Sequence, residues 1–369
     1  VFNPTKKVVG QAGMSRTLKR YKIKYNPPLQ HPRKSVNALR LLYCVDGEER
    51  KSLTEALFKA YWVTGRDITS TSVLLDIAQE CGIAGLSESN FADPAARKEL
   101  ENATAEAIER GAFGVPGFWI PDAQWTDFNS EKREGRFFWN QDRMHFVEAA
   151  FLSLASQALW SSVPALQSLM PRCHRPLPPR AKTKLQFWYD FSSPWAFLGY
   201  TQLARLQRQY DSNLEIEMKP FLLGILFREI GAPNLPMAAV SPAKALWLRQ
   251  DHADWVNWWN SVNAHVGKRD KVIEFQWADV FPIRTPTVLR VAIAAPETTA
   301  LLCESRSSCE RVRKLTTADS ACWEHNADVS QESVFADVLT KGGYSGADLI
   351  TTANKPEVKA KLHGPTAEA

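Results

Sequence analysis

The amino-acid sequence predicts an α/β protein with one small sheet, assembled from two separate stretches of chain, and two helical lobes beside it. Three observations carry this reading. Part of the chain repeats, so one helical unit occurs twice. A β-β-α pattern follows the first copy and a β-α-β pattern precedes the second. A proline-rich stretch without periodicity lies between the two patterns.

The repeat comes in three blocks. His31-Pro32-Arg33-Lys34-Ser35-Val36-Asn37-Ala38-Leu39-Arg40 aligns without gaps with Phe281-Pro282-Ile283-Arg284-Thr285-Pro286-Thr287-Val288-Leu289-Arg290. Further on, Ala60, Trp62, Asp67, Val73, Asp76, Gly82 and Gly85 fall opposite Ala321, Trp323, Asp328, Val334, Asp337, Gly343 and Gly346. After a one-residue slip, Pro94 and Leu100 face Pro356 and Leu362. Chance gives one such block more readily than three in the same order. Residues 20–110 and 268–365 are therefore taken as two copies of one unit.

Each element follows from local chemistry. Ser52-Leu53-Thr54-Glu55 has the form of a capping box and predicts a helix start before the run to Trp62. Thr69 or Ser70 caps a second helix with Val73, Leu74, Ile77 and Ala78 at helical spacing, and Gly82 stops it. Asp93-Pro94 opens a third. In the second copy, residues 301–320 are rich in Ser, Thr, Arg and Cys, and an irregular segment is expected there. Gly114–Ile120 and Arg136–Trp139 read as strands around a polar turn, followed by a helix over 141–158. Leu185–Phe191 reads as a strand, Pro194 starts a helix with Trp195, Leu198, Leu203 and Leu206, and Leu214–Met218 alternates as a strand. The expected division is a helical lobe at 1–112, a β-β-α half at 113–158, a linker at 159–183, a β-α-β half at 184–230 and a second helical lobe at 231–369.

Composition narrows the function classes. A 369-residue chain with 44 % hydrophobic and 23 % charged residues buries a sizeable core. A net charge of +5, without a basic stripe interleaved with aromatics, argues against nucleic acid as the partner. No apolar run approaches the roughly 18–20 residues of a membrane helix. The six cysteines form neither C-x-x-C nor a zinc-like spacing, which points to free thiols and a soluble intracellular setting, cytoplasmic, mitochondrial or peroxisomal. The first residue is Val1 and a helical pattern closes at Leu362, so both ends are read as cut. Trp247, Trp255, Trp258 and Trp259 lie at helical spacings with Asp251, His252 and Asp254 among them. Core packing is the plainer reading, and an aromatic wall for a flat apolar substrate is the sharper one.

Trp188-Tyr189-Asp190-Phe191-Ser192-Ser193-Pro194-Trp195 resembles the first strand and active-site helix of kappa-class glutathione transferases and 2-hydroxychromene-2-carboxylate isomerases, which have a DsbA-like thioredoxin fold. Pro220–Phe227 looks like their next segment, and Gly114-Val115-Pro116 and Phe138–Arg143 look like their C-terminal half. Here the two halves come from different copies and in reversed order. The resemblance implies a thioredoxin-like composite sheet with inserted helices and a site that uses glutathione. It sets Ser193 and Ala196 at the two cysteine positions of DsbA-like oxidoreductases. A hydroxyl at a helix N-terminus suits stabilisation of a thiolate, and it equally suits a plain N-cap. The resemblance further implies a cis peptide at Val115-Pro116 that docks the glutathione backbone. Gln141 and Asp142 would receive its γ-glutamyl end, and Asn234 and Lys244 would hold its backbone and a carboxylate. The implied activity is transfer to a small electrophile or isomerisation of a conjugated aromatic substrate, with a homodimer as the expected partner arrangement. The alternatives are a non-catalytic tandem remnant and a thiol-disulfide oxidoreductase.

Overall fold

The computed structural model describes residues 4–156, 182–265, 272–299 and 321–368. The proline-rich stretch at 159–181 and the Ser/Thr-rich segment at 301–320 lie outside the described residues. The chain divides into two compact units, Val1–Ala112 and Phe113–Ala369. No described helix is long and apolar enough to cross a membrane.

Unit 1 contains α1 (Pro4–Tyr21), α2 (Val36–Leu42), α3 (Gly47–Trp62), α4 (Thr71–Glu80) and α5 (Pro94–Glu109). Its core gathers Leu41, Leu53, Leu57, Leu74, Ile77 and Phe91. The Ser70 hydroxyl accepts from the Val73 N–H at 3.5 Å and caps α4. Gly82, at φ +76°, leads the chain out of α4 in the left-handed region that glycine tolerates. Asp93 accepts from the Ala95 N–H at 2.8 Å, with Pro94 in the first turn of α5. The capping box expected at Ser52 is not one. The helix starts earlier, after Asp46, with Glu48 and Glu49 favourably placed in its first turn, and Ser52 is interior to it.

Unit 2 opens with β1 (Gly117–Thr126), β2 (Lys132–Trp139) and α6 (Met144–Ser156). It continues with β3 (Thr183–Tyr189), α7 (Pro194–Thr201), α8 (Leu203–Tyr210), β4 (Leu214–Pro220), α9 (Leu223–Glu229) and α10 (Pro242–His265). It ends with α11 (Pro286–Ala294), α12 (Glu332–Lys341), α13 (Gly346–Ala353) and α14 (Pro356–Glu368). The helix expected from Pro194 through Leu206 divides at Gln202 into α7 and α8.

The composite sheet differs from expectation. β1 pairs antiparallel with β2, with Phe118 opposite Phe138, and β3 pairs parallel with β4, with Leu185 opposite Ile216. Among the described residues these are two separate two-stranded sheets. The two pairs are built into different cores. The β1 ladder breaks between Ile120 and Gln124, around Pro121, which has no N–H to give. The apolar face of the hairpin is covered by helices instead: Ile120, Ala123 and Phe138 pack with Phe146 of α6 and Trp258 of α10. The β3 side contributes Tyr189 and Phe191 to a different core, shared with α7, α11 and α12.

The repeat is three-dimensional. The Asn26 N–H donates to the Trp62 carbonyl at 2.6 Å, and the Gln276 N–H to the Trp323 carbonyl at 2.7 Å. Arg66 bonds Ala60 at 2.8 Å as Ala327 bonds Ala321 at 2.7 Å. The Asp67 carboxylate takes the Thr69 N–H and hydroxyl, and Asp328 takes those of Ser330. Gly82 and Gly343 share a positive φ, and the His31–Pro32 and Phe281–Pro282 peptides are both cis.

Candidate active site

Strand β3 delivers the chain into a turn held by one buried carboxylate. Asp190, 4 % exposed, accepts from the Ser192 N–H at 3.0 Å, the Leu223 N–H at 3.0 Å and the Thr285 hydroxyl at 2.6 Å. Burial still pushes its carboxyl above the usual range, against those three donors. The turn closes with the Ser193 N–H on the Asp190 carbonyl at 3.0 Å.

Ser193 is the N-cap of α7. Its Oγ accepts from the Ala196 N–H at 3.1 Å, and Pro194 takes the first helical position, where a missing N–H costs nothing. Capping uses a lone pair. The hydroxyl proton remains, and among the described residues it has no acceptor. The half-buried group therefore combines a free O–H donor with the positive end of a helix dipole.

Helix α10 backs this turn. His252 is fully buried, with Nε2 2.9 Å from the Pro194 carbonyl, so Nε2 carries the proton and donates. Nδ1 is buried without a partner. The ring packs against Trp195, Phe275 and Trp277. Burial pulls its pKa down to about 4, although the carbonyl bond acts in the opposite direction. Cys322 is buried near Asp190, and desolvation pushes its thiol up to about 12, far from a reactive thiolate.

The preceding residue on α10 reaches the β-β-α half. Asp251 takes two hydrogen bonds from Arg143, at 2.6 and 2.9 Å, and Arg143 also pairs with Asp142 at 2.7 Å. Burial raises Asp251 to about 6 even so, while the two carboxylates hold Arg143 charged; the cost of desolvating the carboxylate outweighs the attraction. Arg136 pairs with Asp254 one turn on, both buried. Phe113, Trp139 and Trp247 form an aromatic cluster, and the Lys244 ammonium lies 5.1 Å from the Trp139 ring centroid and 5.8 Å from that of Phe113.

Several predicted residues gather around this cluster. The Val115–Pro116 peptide is cis, and Val115 is 89 % exposed. The Pro116 carbonyl accepts from the Asn140 N–H at 2.9 Å, which sets this turn beside Gln141 and Asp142. Asn140, at φ +78°, occupies the left-handed region that Asn tolerates better than most residues, and its side chain accepts from the Gln141 N–H at 2.9 Å. Lys244 faces the same cluster from α10 and has no carboxylate partner among the described residues. Ser193 does not touch these groups. It joins them only through α10, whose consecutive residues Asp251 and His252 project about 100° apart. Asn234 is exposed in the loop before α10, and no hydrogen bond links it to these groups among the described residues. Trp258 is core, in line with the plainer reading of the tryptophans. Sequence reasoning missed Asp190 as the organiser of the turn and Arg143 as the partner of Asp251. The Asp190 signal was present in the strand-end motif, whereas nothing local links Arg143 to Asp251.

The family model described as DSBA-like thioredoxin domain matches residues 3–152 and 184–267. A 2-hydroxychromene-2-carboxylate isomerase of Sphingobium xenophagum is 25 % identical over 143 residues, covering 38 % of this chain and 67 % of that protein. A solved 2-hydroxychromene-2-carboxylate isomerase structure aligns at 16 % identity and a TM-score of 0.35, over 51 % of this chain and 79 % of that one.

Proposed function

Because the chain belongs to the DSBA-like thioredoxin domain family, we propose that it is a glutathione-dependent isomerase or transferase in which the Ser193 hydroxyl stabilises the thiolate. The observation that carries this reading is the Ser193 geometry: a cap bond made by the oxygen and a hydroxyl proton left to donate at a helix N-terminus. The name of the Sphingobium relative favours the isomerase branch. The residues present fit a peptide thiol with carboxylate ends and an ammonium. Val115 offers an exposed backbone beside Pro116, Lys244 offers an ammonium with no carboxylate partner among the described residues, and Asp142 offers a carboxylate on the surface. Bound glutathione would supply a nucleophilic sulfur, either for attack on an electrophile or for reversible addition to a conjugated double bond. The chain's own part is to hold the peptide at 115–116 and 141–142, to lower the thiol pKa with the Ser193 donor and the α7 dipole, and to present an apolar surface. Conjugation of a simple aromatic electrophile, followed against pH, tests this. Ser193→Ala should lower kcat/KM by about 10²-fold, by analogy with loss of one oxyanion donor. It should raise the apparent thiol pKa and leave glutathione affinity, read by calorimetry, nearly unchanged. Equal rates and equal pKa values would reduce Ser193 to a cap.

A second reading has its own support. The two sheets are not joined, which favours a remnant whose half-sites no longer meet. Calorimetry separates the readings, since a remnant takes up no glutathione at millimolar concentration.

A further inference from the structure

The second helical copy shows what the equivalent face of the first copy is shaped to hold. In unit 2, Ile273, Leu289, Ala292 and Trp323 are buried in one core with Tyr189, Phe191, Phe197 and Leu198 of the β3–α7–β4 half. Their aligned counterparts in unit 1 are Ile23, Leu39, Leu42 and Trp62. Ile23 is 54 % and Leu39 41 % exposed, where Ile273 and Leu289 are 6 % and 0 %.

The polar contacts repeat this asymmetry. In unit 2 the Thr285 hydroxyl donates to Asp190 at 2.6 Å, the Trp323 Nε1–H to the Phe191 carbonyl at 2.9 Å, and the Leu222 N–H to the Thr366 hydroxyl at 3.2 Å. Unit 1 places Ser35, Trp62 and Thr104 at these three positions. The local frames agree: Ser35 and Thr285 precede their helices at φ −110°, ψ 0° and φ −108°, ψ 1°, and Thr104 and Thr366 donate to Leu100 and Leu362 at 2.8 and 2.9 Å. Among the described residues, Ser35 and Trp62 give their side-chain protons to no acceptor, and no N–H reaches the Thr104 hydroxyl. The face thus keeps an apolar patch and three polar groups in register, each matched in unit 2 by a group on one β-α-β half. That half is already buried in the core of the second lobe and cannot serve both.

We propose that this face of unit 1 is a docking surface for a separate β-α-β half of the kind built by residues 183–220, supplied by another stretch of polypeptide. Its strand would end in a carboxylate aimed at Ser35 and a backbone carbonyl aimed at Trp62, and the segment after its second strand would give an N–H to Thr104. Ile23, Leu39 and Leu42 would meet its apolar side. The inference is independent of glutathione and of Ser193.

Carried back in the gapless register, Pro4 falls opposite Asp254. A chain in which a second copy of residues 182–253 is joined directly before Pro4 therefore restores the spacing found in unit 2. Amide hydrogen exchange compares it with the chain as given. Exchange over residues 36–42 should slow by about tenfold or more in the extended chain, as burial of an open face predicts. Leu39→Asp, and separately Ile23→Asp, should return it to the original rate while exchange over residues 286–294 stays unchanged. Both positions are exposed, so the variants fold in the chain as given. Unchanged exchange in the extended chain overturns the proposal, as does protection that survives both variants. Sedimentation of the chain as given adds one outcome: self-association abolished by Leu39→Asp would put a second copy on this face, and the separate β-α-β half would be the wrong occupant.

Discussion

Helix α10 borders two junctions built on different physics. Towards α7 and the second helical lobe the interface is a continuous apolar core, with a few buried hydrogen bonds within it: Thr285 to Asp190, Trp323 to Phe191 and His252 to Pro194. Towards the β-β-α half, Trp258 and Phe146 supply a smaller apolar patch, and two arginine–carboxylate pairs cross the boundary, the buried Arg136–Asp254 and the partly buried Arg143–Asp251. The β-α-β half belongs to the same copy as the lobe it packs on, whereas the β-β-α half follows the other copy. A junction inherited with its copy is held by shape. The junction between copies adds ion pairs to its apolar patch, and the cost of desolvating their charges offsets much of the attraction.

The largest expected effect tests that contrast directly. Asp254→Ala leaves the Arg136 guanidinium buried without its carboxylate and should cost about 3–5 kcal/mol in urea unfolding. Arg136→Met combined with Asp254→Leu should recover most of it, because an apolar pair removes both desolvation penalties. A single-variant loss below about 1 kcal/mol, the range of exposed pairs, would mean that water reaches Arg136 and that the junctions do not differ in kind.

Acid should weaken the contribution of one histidine at each junction. His252 and His145, one at each, are held to about 4 by burial, His145 also by the neighbouring Arg143. A histidine with a depressed folded pKa contributes stability that is complete above its unfolded value near 6.5 and is lost as pH falls towards 4. Asp251, raised to about 6, works the other way, gaining stability as pH falls through 6 towards 4. Asp190 and Asp254 are shifted in the same direction as Asp251, so total stability mixes opposing contributions. His252→Phe isolates one of them. It keeps the ring packing and removes the titration, so the stability difference between the chain and this variant should shrink by about 3 kcal/mol between pH 6.5 and 4. A constant difference across that range would mean that His252 takes up its proton without disturbing the fold.

A smaller effect is expected inside the apolar junction. Trp323→Phe keeps most of the ring volume and strands the Phe191 carbonyl, which should cost about 1–3 kcal/mol. Trp62→Phe at the matching position of the first copy removes no such bond and should cost less than about 0.5 kcal/mol in thermal unfolding. Equal losses would mean that ring packing, and not the hydrogen bond, sets the value.

How much of this was legible in the sequence varies with the range of the interaction. The helices of unit 1 were readable because Ser70, Gly82, Asp93 and Pro94 act within a few residues of where they stand. The start of α3 was misplaced because Ser52 and Glu55 imitate a cap inside a helix that Asp46 had already opened. The repeat exposed the two lobes, since aligned residues keep the same turn bonds. The joining of the sheets was not legible. Which strand edges meet, and which helices each pair packs against, are long-range choices that leave no periodic trace. The same holds at the site. Ser193 is announced by Ser-Ser-Pro, but the partnership of Arg143 with Asp251 is visible only once α10 stands between the two halves.

The smallest expected stability effect concerns Ser193, and it separates two roles that one hydroxyl plays. As a cap, its oxygen accepts from the Ala196 N–H; as a proposed thiolate donor, it gives away its proton. Ser193→Ala removes both and should cost about 1 kcal/mol of stability along with activity. Ser193→Asp removes only one. A carboxylate is among the best N-caps and favours the positive end of α7, so stability should stay within about 0.5 kcal/mol of the original chain. It has no proton to donate at neutral pH, and its negative charge disfavours a thiolate beside it. Glutathione conjugation by Ser193→Asp should therefore fall at least as far as in Ser193→Ala, while its thermal midpoint stays at that of the unchanged chain. If Ser193→Asp kept both its midpoint and its rate, the hydroxyl proton would have no part in the chemistry, and the cap alone would explain the serine.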